Sequence, residues 1–150
     1  MDGDISIAVD ASLADVRPVI LGAVVRGVDV GQNVEQQQQF IKSLMDHQEK
    51  LHFALGRGRR RASIGVHDLS SLAPPFKVVT VARDYSFIPL AKAEEMTIEE
   101  ILKEHPKGVE YAHLLDGMET VPLILDANDA VLSFPPIING DHTTVSESST

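Results

Sequence analysis

The sequence VPLILDANDAVLSFPPIINGDH, residues 121–142, predicts the centre of the fold. Two β-rich runs, Val121 to Leu125 and Ala130 to Phe134, flank the turn-forming tetrapeptide DAND, so we expect a β-hairpin here. The second run stops at the double proline Pro135-Pro136, and two isoleucines then lead to an Asn-Gly turn. Proline fixes φ and removes a donor, and Asn-Gly favours positive φ, so the backbone path is tightly prescribed. Clustered polar residues on such a rigid segment are typical of a pocket, and equally of a stiff hairpin end.

A long amphipathic helix is predicted upstream of this hairpin. Asn33 can cap its start, with Gln36 three residues later as a capping-box partner, and Gly56 is a natural C-terminal stop. Between them, apolar residues recur at helical spacing: Phe40, Ile41, Leu44, Met45, Leu51 and Leu55. We expect this helix to pack across the sheet.

The remaining predicted elements are short. Further strands are expected at Ile5 to Val9, Val19 to Val28, Ala62 to Val66, Phe76 to Ala82 and Tyr85 to Leu90. The run from Val19 is nearly all apolar, which suits a central strand, whereas Pro89 favours an edge for the last of these strands. Short helical segments are expected at residues 68–72, after the Thr97 capping box, and at 107–115. The sum is an α+β fold over residues 1–150, with a mixed, mainly antiparallel sheet, one long amphipathic helix packed on it and short helices at the edges.

Bulk properties narrow the classes of function. The chain has 150 residues, of which 43% are apolar, enough for one packed core. It has no cysteine, which excludes disulfides and cysteine-based metal sites or nucleophiles. The acidic start Met1-Asp2-Gly3-Asp4 does not resemble a signal peptide, and no apolar run approaches the roughly 20 residues of a membrane span. We therefore expect a soluble cytoplasmic protein without membrane contact.

The charge distribution is uneven. A net charge of −9 argues against broad, charge-driven binding of nucleic acid. Four arginines nevertheless lie close together and could form one basic patch: Arg57, Arg59, Arg60 and Arg61. Such a patch can hold a phosphate backbone, or it can be a solvated loop beside acidic neighbours.

Several common signatures are missing from the sequence. The six histidines show no H-E-x-x-H or similar spacing, so we expect no metal site. No P-loop occurs, and Gly56-Arg57-Gly58 lacks the further glycine and preceding strand of a dinucleotide site. We expect this segment to use no cofactor.

Two stretches carry a family resemblance. SFPPIINGDHT at 133–143, together with RRRASIGVHDL at 59–69, resembles the editing module in the β subunit of archaeal and eukaryotic phenylalanyl-tRNA synthetases. The resemblance covers about residues 15–150 and is strongest from Val121 to Thr143. In the family, the module continues past this point, so the resemblance implies a single, truncated editing domain. It also implies that the parent synthetase, and not this segment, uses ATP and Mg²⁺.

The resemblance assigns roles to particular residues. His67, in the GVHDL stretch, is implied to be catalytic. The implied substrate-binding residues are Ile124, Ser133, Phe134, Pro135, Asn139 and Asp141. The four arginines are the implied RNA-binding residues.

The residues themselves leave simpler interpretations open. His67 could be a partly buried histidine that binds a nearby carbonyl, and His142, just after the Asn-Gly turn, is a rival that is more often exposed. Ser133 could be an ordinary hairpin serine, and no Gly-x-Ser-x-Gly elbow supports a serine nucleophile. Asn139 and Asp141 could simply hold a turn through bonds to the backbone.

The implied activity is hydrolysis of misacylated tyrosyl-tRNA(Phe) by a positioned water, without a covalent enzyme intermediate. The implied partners are tRNA(Phe), the synthetase α subunit and the remainder of the β subunit. The main alternative is a non-catalytic module that docks RNA or protein through the arginines and the hairpin. A free-standing hydrolase that acts in trans is a third.

Overall fold

A computed structural model describes residues 4–146 and 149, and its sheet is centred on the predicted hairpin. The strands are β1 Ile7–Val9, β2 Phe76–Ala82, β3 Ser86–Phe87, β4 Met96–Thr97, β5 Thr120–Leu125, β6 Val131–Phe134 and β7 Ile138–Asn139. The α-helices are α1 Val34–Ala54, α2 Ile98–Glu104 and α3 Pro106–Tyr111. Single 3₁₀ turns occur at Ala11–Leu13, Leu69–Ser71, Ala112–Leu115 and Asp141–Thr143.

The main sheet has five strands in the order β1-β2-β5-β6-β7. β1 pairs with β2 in parallel, and the other neighbours in this sheet are antiparallel. β3 and β4 form a separate antiparallel pair. The predicted α+β class with a mainly antiparallel sheet is confirmed.

Asp126 closes the β5–β6 hairpin. One carboxylate oxygen accepts the backbone N–H groups of Asn128 and Ala130, at 2.8 and 3.0 Å, and the other accepts that of Ala73 at 3.1 Å. Burial raises the pKa of Asp126, but these backbone donors outweigh it and hold the pKa below its ordinary value. The turn that the DAND tetrapeptide predicted is therefore held by its first residue.

One face of the sheet carries the hydrophobic core. α2 contributes Ile98, Ile101 and Leu102 to this core, and the 112–115 turn contributes Leu115. The Thr97 capping box is confirmed, since Thr97 Oγ1 accepts the Glu100 N–H and the Glu100 carboxylate accepts the Thr97 N–H. The strands complete the core through Val121, Leu123, Leu125, Val131, Phe134 and Ile138.

The long helix α1 lies outside this core, which corrects the prediction that it packs across the sheet. Its start is as predicted, because Asn33 accepts the Gln36 N–H, although the Gln36 side chain accepts the Gln32 N–H instead of closing the box. His52 is its one buried residue, and Phe53 is 82% exposed. The core face of the sheet is covered by α2 and the 112–115 turn, and α1 contributes no residue to that core.

Two predicted strands are absent. Residues 19–28 form no strand, and Leu21 is 90% exposed, because β1 already occupies the sheet position beside β2. Residues 62–66 also form no strand, and the backbone of Ile64 instead contacts the ring of His52, with its N and O at 2.8 and 3.0 Å from Nε2. An apolar run predicts an extended chain but does not determine its neighbours.

The predicted Asn-Gly turn is also absent. Asn139 ends β7 in extended backbone, and Gly140 has a φ of −72°, so neither residue uses the positive φ that Asn-Gly favours. Glycine is required at 140 for space, because a Cβ there would lie 2.0 Å from the Val131 carbonyl oxygen. The chain turns earlier instead, at the double proline between β6 and β7.

The buried side chain of Arg59 holds the double-proline turn between β6 and β7 in place. It is 7% exposed, and its Nη1 donates to the carbonyl oxygens of Pro136 and Ile137, both at 2.9 Å. Its Nη2 donates to Glu49 of α1 at 2.8 Å, and its guanidinium lies 4.3 Å from the ring centroid of Tyr111 in α3. Arg59 therefore does not belong to a solvent-facing basic patch, contrary to the prediction from its arginine-rich neighbourhood.

Replacing Arg59 with methionine should lower the free energy of unfolding by about 2 kcal/mol or more, because each buried carbonyl left without a donor costs about 1–3 kcal/mol. Urea denaturation measures the change. Arg60→Met is the matched control, and the exposed Arg60 should change stability by less than about 0.5 kcal/mol. Equal losses for both variants would contradict the anchoring role of Arg59.

Candidate functional site

The face of the sheet opposite the core carries a row of three candidate site residues. Ile124 pairs with Ser133 across β5 and β6, and Ser133 pairs with Asn139 across β6 and β7. Directly paired residues project to the same face, so these side chains are neighbours. The Ser133 hydroxyl donates to Asn139 Oδ1 at 3.0 Å. The fold therefore brings together three residues that the sequence separates by 15 positions.

A β-bulge directs Ser133 to this face. The pairing between β5 and β6 shifts register between Ile124 and Leu125. As a result, Val131 and Phe134 both belong to the core although they are three residues apart, while Ser133 faces the other side. Bulges commonly redirect a side chain next to a functional site.

Phe134 departs from its predicted role. Its side chain is fully buried in the core, on the face of the sheet away from Ser133, so it cannot contact a ligand bound beside that serine. Pro135 is partly exposed at the turn. The alternation along β6 thus divides the predicted substrate-binding stretch between the two faces.

His67 lies over this row, next to Gly65. A Cβ built on Gly65 would be 2.7 Å from His67 Nε2 and 3.4 Å from Asn139 Oδ1, so both atoms lie close to this glycine. Glycine is required at 65, because a side chain there would collide with the imidazole. The Asn139 amide nitrogen has no hydrogen-bond partner among residues 4–146 and 149, so it can donate to a bound molecule.

The other ring nitrogen of His67 is bound from within. Nδ1 lies 2.8 Å from the hydroxyl oxygen of Thr143, which is itself buried. Burial, and secondarily the nearby His142, lowers the pKa of His67 to about 4. The imidazole is therefore neutral at neutral pH, which suits it to accept a hydrogen bond from water or from a substrate.

Asp141 lies at the margin of this cluster. Its carboxylate accepts the Ala91 N–H at 3.2 Å, and its own N–H donates to the Ile88 carbonyl at 3.0 Å. Ala91 has a φ of 63°, a left-handed conformation that this bond helps to hold. In this structure Asp141 fastens residues 88–91 to the rim of the site.

The other three arginines of the predicted patch are exposed. Arg57, Arg60 and Arg61 form no ion pair with any part of the chain that the structure describes. Arg59, fixed beneath them, holds their loop against the turn between β6 and β7. The exposed arginines thus lie on a loop that Arg59 joins to the turn between β6 and β7.

Gly65 and Thr143 are site residues that the sequence analysis did not single out. Both lie within the two stretches that carried the family resemblance. Nothing in their spacing indicated that a threonine 76 residues away binds the ring of His67.

Within residues 4–146 and 149, no group of three or more histidine, aspartate or glutamate side chains is placed to hold a metal ion. No helix in that same part of the chain is long and apolar enough to cross a membrane.

Comparison with known proteins identifies close relatives. The chain is 49% identical over 146 residues to the phenylalanine–tRNA ligase beta subunit of Methanococcoides burtonii, which covers 97% of the chain and 26% of the relative. It is 50% identical over 147 residues to that of Methanosarcina acetivorans, covering 98% of the chain and 26% of the relative. The chain thus spans about a quarter of the length of these curated relatives. No family model matches it.

A solved structure shares the fold. The crystal structure of an N-terminal fragment of the phenylalanyl-tRNA synthetase beta subunit from Pyrococcus horikoshii superposes with a TM-score of 0.86 at 36% identity. The match covers 98% of this chain and 41% of that fragment.

The stability of the chain should fall as the pH drops from 6.5 toward about 4, in part through His67. In this window the unfolded histidine, with its ordinary pKa of 6.5, takes up a proton that the folded one does not. His67→Gln removes this contribution, so its urea midpoint should fall less over the window than that of the wild type.

His113→Gln, which removes an exposed imidazole, is the control. NMR titration of the His67 ring gives a direct check, with a midpoint expected near 4. A midpoint near 6.5 would show that the ring is not buried as described.

Proposed function

Because the chain belongs to the family of phenylalanine–tRNA ligase beta subunits, we propose that it hydrolyses misacylated tyrosyl-tRNA(Phe). The observation that supports this proposal is the neutral His67, whose Nε2 lies against Gly65 close to Asn139, the partner of Ser133. A neutral imidazole over a rigid row of hydrogen-bonding side chains can hold both a water molecule and an ester.

The physical need for such a site comes from the limits of selection by binding. Tyrosine is phenylalanine plus one hydroxyl, and an apolar pocket rejects an isostere with an added hydroxyl by only about 100-fold. A second site can reverse this preference with polar partners for the hydroxyl, because phenylalanine would leave those partners unpaired. The Asn139 amide and the Ser133 hydroxyl are polar groups of this kind on the site face.

In the proposed reaction, His67 Nε2 accepts a hydrogen bond from a water molecule and directs its oxygen at the ester carbonyl carbon. A bond forms between the water oxygen and that carbon, and the bond from the carbon to the ribose oxygen breaks. The ribose oxygen leaves with a proton from the water, so tyrosine and free tRNA are the products. Hydroxyls of the terminal adenosine can assist this proton transfer.

Ser133 is not the nucleophile in this scheme. Its hydroxyl donates to Asn139 Oδ1, an acceptor that cannot serve as a strong base. The serine instead supplies a short side chain that lets a substrate approach the strand backbone. Hydrolysis therefore proceeds without a covalent enzyme intermediate.

The same proposal names the partners. Arg57, Arg60 and Arg61 offer unpaired positive charge to the tRNA backbone on an otherwise acidic protein. Exposed apolar side chains, among them Leu21, Phe53 and Leu55, offer contact surface to the remainder of the beta subunit. We further propose the synthetase alpha subunit as a partner of the whole enzyme, ATP and Mg²⁺ as requirements of its aminoacylation, and the cytoplasm as its location.

His67→Ala should lower the rate of tyrosyl-tRNA(Phe) deacylation by roughly 100-fold, the lower end of the range for a positioned acid–base group. Release of labelled tyrosine by the 150-residue chain measures it. His142→Ala is the matched control, because His142 is exposed and should leave the rate within about a factor of two to three. If the two variants were equally active, His67 would have no part in the reaction.

Replacing Arg57, Arg60 and Arg61 with glutamine should weaken tRNA(Phe) binding and make its dependence on salt less steep, because fewer counterions are released. A variant with glutamine at Lys42, Lys77 and Lys103 removes the same number of charges from α1, β2 and α2. Titrations at several salt concentrations compare the two variants. Steep salt dependence without any turnover of tyrosyl-tRNA(Phe) would favour the alternative, a module that only docks RNA.

A further inference from the structure

We propose that Thr143 is a positioning residue that fixes the tautomer of His67 and keeps Nε2 unprotonated on the side of the ring that faces Gly65 and Asn139. The catalytic consequence rests on the hydrolysis proposed above, whereas the tautomer itself does not. The inference starts from the contact between Nδ1 of His67 and the Thr143 hydroxyl at 2.8 Å.

The surroundings of the Thr143 hydroxyl determine the direction of that bond. Its Oγ1 lies 3.1 Å from the carbonyl oxygen of Gly140 and 3.5 Å from that of Leu132. Both carbonyls can only accept, so the single hydroxyl proton is directed toward them and a lone pair faces the imidazole. Nδ1 must then carry the proton and donate it to Thr143.

The opposite tautomer would be unfavourable. An unprotonated Nδ1 would draw the hydroxyl proton away from Gly140, whose carbonyl then keeps only a long bond of 3.4 Å from the Thr143 N–H. A buried acceptor that loses its donor destabilises the folded state. The ring therefore places its proton on Nδ1 and its lone pair on Nε2.

The backbone holds Thr143 in place for this task. The N–H of Asp68, the residue after the histidine, donates to the Thr143 carbonyl at 3.2 Å. The side chain of His67 and the backbone of Asp68 thus both bind Thr143, one through its hydroxyl and the other through its carbonyl. Thr143 is 1% exposed, so water does not compete for its hydroxyl.

The consequence concerns which role Nε2 can play. With a lone pair, Nε2 can accept a hydrogen bond from the attacking water molecule of the proposed reaction. With a proton, it could only donate, and the water would lose its orienting acceptor. The tautomer of a histidine is set by the hydrogen bond of its other nitrogen, and here Thr143 makes that bond.

The direct test is ¹⁵N NMR of the His67 ring at neutral pH in the full chain, with His67→Gln used to assign the signals. Wild type and Thr143→Ser should show a protonated Nδ1 and an unprotonated Nε2. Thr143→Val removes the hydroxyl and keeps the side-chain shape, so it should lose this single tautomer. An unchanged ring spectrum in Thr143→Val would overturn the proposal.

The kinetic test uses the same variants. Thr143→Val should lower kcat for tyrosyl-tRNA(Phe) deacylation by about tenfold or more, with little change in KM, and Thr143→Ser should restore it. Thr144→Val, which alters an exposed hydroxyl next door, is the control. Equal kcat in wild type and Thr143→Val would overturn the catalytic part of the proposal.

The two proposals can fail separately. If the wild-type chain released no tyrosine, the hydrolytic function would fall, whereas the ¹⁵N spectra would still decide whether Thr143 sets the tautomer. A folded Thr143→Val is confirmed by its circular dichroism, and Thr143→Ser provides the second variant if valine is not tolerated.

Discussion

The geometry of the site depends on the hydrogen bonds that the buried guanidinium of Arg59 makes to the turn between β6 and β7. Arg59 binds the carbonyls of Pro136 and Ile137 in that turn, and it also contacts Glu49 of α1 and Tyr111 of α3. Ser133 and Asn139 lie on either side of that turn and remain paired because it is held. A charged group serves here because two carbonyls at a proline turn lack strand partners and need a strong donor.

Much of the fold could be predicted because local chemistry determines it. The β5–β6 hairpin, the caps at Asn33 and Thr97, and the strand β2 all follow from residues that act on their immediate neighbours. The errors concern long-range choices. Residues 19–28 have the composition of a strand but pair with no strand of the sheet, and α1 has an apolar pattern but contributes no residue to the core. The prediction that Arg59 belongs to an exposed patch is wrong for a similar reason. Its neighbours in sequence are exposed arginines, and the turn that buries it lies far away along the chain.

The candidate site was predictable only in outline. His67, Ser133 and Asn139 came from two stretches of sequence, and the structure places them in one cluster. The sequence could not indicate that Phe134 faces away, because a bulge in the neighbouring pairing alters the alternation of side chains. Nor could the sequence indicate Thr143, because a contact between an imidazole and a distant hydroxyl follows no regular spacing of residues.

The bulge in the β5–β6 pairing also lets one strand serve both core packing and the candidate site, on opposite faces of the sheet. Val131 and Phe134 serve the core on one side of the strand, while Ser133 and its neighbours in the row face the other. Ser133 is only 7% exposed, so a substitution there has to match its size. Within that limit, changes of polarity along the outer row leave the core of the other face untouched, and the strand is a scaffold on which ligand preference can be redesigned or can drift during evolution.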